Sequence, residues 1–176
     1  LMSDYFVKYL AGQKGSGSNT MKTYRDTFVQ LLEFMDEKKH IRADCIEVDS
    51  FSYDIINEFL EYLEKEKRVS ISTRNNRLAA IRSFFKYTGY HEPKYLNIST
   101  SIREISKKKT EGRQMNYLSV NAMEHFLNSF DKTDHKELRC FCIVLLLYES
   151  GARVTELCNV RRYDLHLEKP YTMILH

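Results

Sequence analysis

Residues 72–87 read Ser72-Thr73-Arg74-Asn75-Asn76-Arg77-Leu78-Ala79-Ala80-Ile81-Arg82-Ser83-Phe84-Phe85-Lys86-Tyr87. Neither glycine nor proline interrupts the stretch, and Leu78, Ile81 and Phe85 fall on one side at helical spacing. Ser72 reads as the N-cap of a helix running to about Thr88, with Gly89 ending it. A second face carries Asn75, Ala79, Arg82 and Lys86 at i, i+4, i+7 and i+11, while Arg74 and Arg77 load the first turn. Cations there oppose the helix macrodipole. The arrangement makes sense where a polyanion sits between those side chains and the free backbone N–H groups. From Lys65 to Lys94 there are eight basic and two acidic residues, a net charge of +6 and twice the +3 of the whole chain. Both a solvated basic face and a phosphate-contact surface fit that count.

Working towards the amino terminus, a helix is predicted from about Ser52 to Lys65, with Ile55, Ile56, Phe59, Leu60 and Leu63 inward. Glu58, Glu61 and Glu64 form its solvated face. From Asn19 to about Lys39, Tyr24, Phe28, Leu31, Leu32 and Met35 make one amphipathic stripe. Residues Gly12 to Ser18 read as a flexible loop, which separates this helix from a short first one around Tyr5 to Leu10.

Towards the carboxyl terminus, Arg103 to Arg113 carries five basic and two acidic residues and little apolar content after Ile105. This is a basic linker, with Lys107, Lys108 and Lys109 at its centre. The chain thus divides into a helical domain (1–105), a linker (106–115) and a second part (116–176). In that part Ser119 caps a helix with Met123, Phe126, Leu127 and Phe130 inward. The next helix, about Lys136 to Glu149, is apolar on every side from Cys140 to Tyr148 and reads as the buried centre of a domain. About 60 residues rarely enclose such a helix, and Tyr171 to Leu175 forms a β-like run without a strand partner. The expectation is a domain cut off partway.

The whole chain has 176 residues, 43% hydrophobic and 29% charged, with 6 Gly and 2 Pro, which favours a mainly α protein over a turn-rich β fold. Its longest apolar run is far too short to span a bilayer, so no membrane partner is expected. Leu1 to Tyr5 has no signal-peptide character, so a cytoplasmic location is the default. Cys45, Cys140, Cys142 and Cys158 read as reduced core residues, because zinc usually takes C-x₂₋₄-C with a second ligand pair. No metal is expected.

Glu149-Ser150-Gly151-Ala152-Arg153-Val154-Thr155-Glu156-Leu157 places an arginine near the start of a helix, with a carboxylate three residues on that can hold it. Such an arginine offers a rigid five-donor fork to a phosphate. It also fits an ordinary surface arginine.

The string YESGARVTELCNVRRYDLHLE resembles the segment around the first catalytic arginine of the tyrosine recombinases, or phage integrases. Thr20 to Arg25, the 72–87 stretch and Leu118-Ser119 resemble, in order, that family's first core-binding helix, its last one, and the start of its catalytic domain. The resemblance implies a four- to five-helix, SAM-like core-binding domain followed by the α-rich start of a catalytic domain ending in a β-strand. Duplex DNA would be clamped between the two, with contacts expected at Arg25, Thr73, Arg74, Arg77, Arg82, Lys86, Lys107, Lys108 and Lys109. Family members cut through a 3′-phosphotyrosyl link without metal or nucleotide cofactor, and the parent would assemble as a tetramer on two DNA sites.

Of the catalytic set, Arg153 matches the first arginine and Glu156 the acidic residue that orients it. No H-x-x-R follows, and Tyr163 and Tyr171 lie too near Arg153 to be the nucleophile, so the chain by itself is expected to bind DNA without cleaving it. His91-Glu92-Pro93 stands where the family usually has Asn-Pro. A non-enzymatic DNA-binding module and a helical protein-interaction domain are the competing readings.

Overall fold

The structure, a computed structural model, describes residues 1–13, 17–110, 112, 116–166, 168, 172 and 173. It divides into two compact units, residues 1–112 and 113–176.

The first unit opens with α1 (Met2–Asp4), continued without a break by a π-helical segment, Tyr5–Gln13. The first helix is therefore longer than the apolar cluster alone predicts, and it covers part of the expected loop, of which residues 14–16 lie outside the described residues. α2 (Ser18–Lys39), α3 (Tyr53–Lys65), α4 (Ile71–His91) and α5 (Leu96–Glu104) follow. Phe28, Leu31, Phe34 and Met35 of α2 meet Ile56, Phe59, Leu60 and Leu63 of α3 and Leu78, Ile81, Phe84 and Phe85 of α4 in one core, which Tyr5, Leu10 and Ile102 complete. Edge-to-face rings stitch it together: Phe84 lies 5.2 Å from Phe28 and 5.3 Å from Tyr5.

Serine caps set the helix starts. The Ser52 hydroxyl accepts the Ile55 N–H and that of Ser70 accepts the Thr73 N–H, both at 3.2 Å. α4 therefore begins at Ile71, and the cap is Ser70 rather than Ser72. Nor does Gly89 end the helix, which runs on to His91 and stops where Glu92, ahead of Pro93, is forced into extended backbone. Gly89 answers a packing need instead. A Cβ there would come within 2.6 Å of the Ser99 Cβ, so the missing side chain is what lets α5 lie against α4. α5 itself has no apolar stripe marking it in the sequence; its buried face is Ser99 and Ile102.

In the second unit, α6 (Val120–Asn128) starts at Ser119, whose hydroxyl accepts the Ala122 N–H, as expected. α7 (His135–Ser150) ends at Gly151 in the left-handed region, φ 63°, and α8 (Val154–Asn159) follows. The expectation that α7 is buried on every side is not met: none of its residues is buried, and Leu138, Ile143, Leu146 and Tyr148 are exposed. α6 and α8 are the helices packed against it. Two short helices do not enclose one of 16 residues. The cysteine reading is corrected as well, at Cys140 and Cys142 for the same reason. All four are free, but all four are exposed rather than in a core.

The unpaired strand is corrected too. β1 (Leu165–His166) and β2 (Thr172–Met173) pair antiparallel, Leu165 opposite Met173. Tyr171, Ile174 and Leu175 lie outside the described residues.

Candidate nucleic-acid interface

In the first unit the site is a line of cations along α4, and the structure sorts them into those consumed by the fold and those left free. Arg74 is consumed. Its side chain is only 6% exposed; Nε lies 3.2 Å from Oε1 of Glu64 on α3, and Nη1 donates to the Ser106 carbonyl at 3.2 Å. The cation at the start of α4 thus has an internal counter-ion. Glu64, grouped with the solvated face in the sequence, is 21% exposed and also takes the Lys108 ammonium at 2.8 Å.

Arg77 Nη1 donates to the Thr23 carbonyl and the Thr27 hydroxyl, both at 3.1 Å, tying α4 to α2. Arg82 donates to the Ile105 carbonyl. Asn75 Nδ2 donates to the Lys108 carbonyl at 2.8 Å, and its Oδ1 accepts the Lys108 N–H at 3.1 Å. Residues 105–108 are therefore laid antiparallel along α4, from Arg82 back to Asn75, and not left as a free linker. Thr73 is half-buried, its hydroxyl 3.0 Å from that of Ser70.

The free cations are the remaining ones. Lys86, Lys107 and Lys109 are exposed, and among the described residues none has an ion pair. Arg25 is exposed, with Asp26 at a loose 3.5 Å. Lys86 shares a cavity lining with Arg103, a cation the sequence reading left within the linker run. What the reading missed is Glu64 and the backbone carbonyls of residues 105 and 106. No local pattern could mark them, because each partner lies far along the chain.

In the second unit Arg153 is the N-cap of α8. Glu156 accepts the Arg153 backbone N–H through Oε2 and its guanidinium through Oε1, both at 2.7 Å. The backbone N–H, then the guanidinium, hold the Glu156 carboxyl below its ordinary pKa. The Arg153 side chain is 82% exposed, so most of its donors face solvent while one is anchored. Tyr163 is exposed, with the Arg161 guanidinium 5.9 Å from its ring centroid. Among the described residues no group of three or more His, Cys, Asp or Glu is placed to hold a metal, and no helix is long and apolar enough to cross a membrane.

A helical unit whose fourth helix is basic, followed by a unit presenting a carboxylate-held arginine, accords with the motifs quoted from the sequence. The family model for the phage integrase N-terminal SAM-like domain matches residues 4–93. The chain belongs to the phage integrase family of tyrosine recombinases.

It is 28% identical over 175 residues to a protein named integrase/recombinase y4rD from Sinorhizobium fredii, covering 99% of this chain and 62% of that protein. It is 26% identical over 166 residues to tyrosine recombinase XerC of Staphylococcus aureus, covering 93% of this chain and 52% of XerC. The chain thus spans between half and two thirds of these relatives. The fold is that of the XerH site-specific recombinase in a post-cleavage complex with palindromic difH substrate, with a TM-score of 0.64 and 21% identity over 98% of this chain and 50% of XerH.

Proposed function

We propose that the chain is the DNA-binding and first catalytic portion of a site-specific recombinase. The first unit grips the phosphate backbone of duplex DNA, and Arg153 contributes to the phosphoryl-transfer site. The observation carrying this reading is the pattern of unpaired cations. The fold engages Arg74, Arg77, Arg82 and Lys108 in internal hydrogen bonds or ion pairs, yet among the described residues leaves the ammonium groups of Lys86, Lys107 and Lys109, at the two ends of the strapped segment, with neither. Eleven residues of helix separate Lys86 from Asn75, roughly 16 Å, a span over which a duplex presents several phosphates. Phosphate contacts of this kind position the duplex and do not read its sequence.

At Arg153 the carboxylate of Glu156 orients a planar donor fork whose outward N–H groups can meet the non-bridging oxygens of a scissile phosphate, where charge builds in the transition state. The parent would cleave and rejoin strands through a phosphotyrosyl intermediate, as a tetramer on two sites, with no metal or nucleotide cofactor, in the cytoplasm. The nucleophile is assigned to none of the tyrosines of this chain. A non-enzymatic DNA-binding or regulatory module, using the free cations of the first unit alone, is the second reading.

Duplex affinity measured across a salt series tests the first part. It should fall steeply with salt, and Lys86→Glu with Lys107→Glu and Lys109→Glu should remove most of it. Arg82 is a poorer probe, since its substitution also frees the 105–108 segment. Binding indifferent to salt and to the triple variant would overturn the reading.

A further inference from the structure

Where α4 ends against α5, a cavity of about 500 Å3 opens beside the cationic line, within the size range of small-ligand sites. Its lining includes Tyr9, Tyr87, Tyr90 and His91, together with Lys86 and Arg103. The rings are held against one another. Tyr87 lies 5.1 Å from Tyr9 and 4.0 Å from His91, and Tyr90 meets His91 edge-on at 5.3 Å. His91 is anchored by Nδ1, 2.9 Å from the Tyr87 carbonyl oxygen. Tyr90, by contrast, is 84% exposed, an aromatic face turned to solvent at the rim. Neither Lys86 nor Arg103 has an ion pair among the described residues, and no carboxylate lines the cavity.

Exposed rings with unpaired cations at the rim suit a ligand that is planar and aromatic at one end and anionic at the other. We infer that this cavity takes one unstacked nucleotide of a DNA strand, its base against the exposed rings of Tyr90 and His91, which the buried Tyr87 backs, and its phosphate between Lys86 and Arg103. Every base has a π face, so the site is tolerant of sequence, and the cations make it dependent on salt. The inference rests on the DNA-binding reading above, because Lys86 belongs to both surfaces. It extends that reading from paired DNA to a strand whose base is out of the stack.

The test uses the 176-residue chain with a short single-stranded oligonucleotide carrying a fluorescent adenine analogue. Stacking in the cavity should quench the analogue, and Tyr90→Ala and Arg103→Ala, both at exposed positions, should each weaken strand binding roughly tenfold. No quenching, or quenching unchanged in both variants, overturns the inference. The monophosphate of the same analogue, run in parallel, separates the sources: affinity equal to that of the oligonucleotide would assign the cavity to free nucleotides and overturn its assignment to a strand. Blunt duplex is titrated alongside. Its failure to bind at low salt would sink the duplex reading alone, since the oligonucleotide arm reads the cavity by itself.

Discussion

Asn75 and Lys108, 33 residues apart, exchange two hydrogen bonds, the Asn75 amide donating to the Lys108 carbonyl and accepting its N–H. One side chain thereby does what a neighbouring β-strand would do, and it fixes the direction in which the chain leaves the helical unit. Asn75→Ala should abolish both bonds, each worth on the order of 1 kcal/mol net. Because the pair is exposed, global stability should change by no more than about 1 kcal/mol. Amide exchange at Lys108 should quicken sharply, and unchanged exchange there would show that Asn75 does not hold the segment.

Glu64 faces two cations, Arg74 and Lys108, with its side chain 21% exposed and that of Arg74 only 6%. Removing the carboxylate leaves a buried guanidinium without a counter-ion, so Glu64→Ala should cost about 2–3 kcal/mol in urea unfolding. Replacing the pair together, Glu64→Leu with Arg74→Met, should cost less than Glu64→Ala alone, because no charge is then stranded. If the double variant is the less stable of the two, the ion pair contributes more than its desolvation takes away.

Between them these two clusters mark the limit of what the sequence reveals. The stripes of α2, α3 and α4 were legible because a helix repeats locally, and Phe28, Phe59 and Phe85 stand where their spacing puts them. Arg153 with Glu156 was legible for the same reason, three residues apart in one turn. Arg74, Arg77 and Arg82 look alike in the sequence, yet each is satisfied by a group more than 20 residues away or on another helix. Only the fold separates them from Lys86. The apolar run of α7 misled in the opposite direction, since hydrophobicity on all sides records what a helix could bury, not what covers it.

Gly89→Ala combines two opposed effects. Alanine is the better helix former by about 1 kcal/mol, but its Cβ would lie 2.6 Å from the Ser99 Cβ and 2.7 Å from its Oγ. Overpacking of this kind typically costs 1–3 kcal/mol, so a net destabilisation of about 1 kcal/mol is expected, visible as a lower Tm. Ser99→Gly should relieve it and Ser99→Ala should not, since the nearest atom is the Cβ itself. Equal rescue by both would place the clash at the hydroxyl.

Glu156 contributes to the pH dependence of the second unit. Its carboxyl is held below the ordinary value by the Arg153 backbone N–H and guanidinium. A carboxyl depressed on folding stabilises the folded state fully above its unfolded pKa, and that contribution fades as pH falls through the lowered folded value. The start of α8 should therefore loosen only at pH below the ordinary carboxylate range, and the Arg153 guanidinium should stay anchored at every higher pH. An NMR titration of the Glu156 carboxyl should show a depressed midpoint that rises towards the ordinary value in Arg153→Ala. That rise should be incomplete, because the backbone N–H, the larger of the two causes, survives the substitution. Full recovery of the ordinary value would instead assign the whole effect to the guanidinium, and the orienting role of Glu156 would then rest on the ion pair alone.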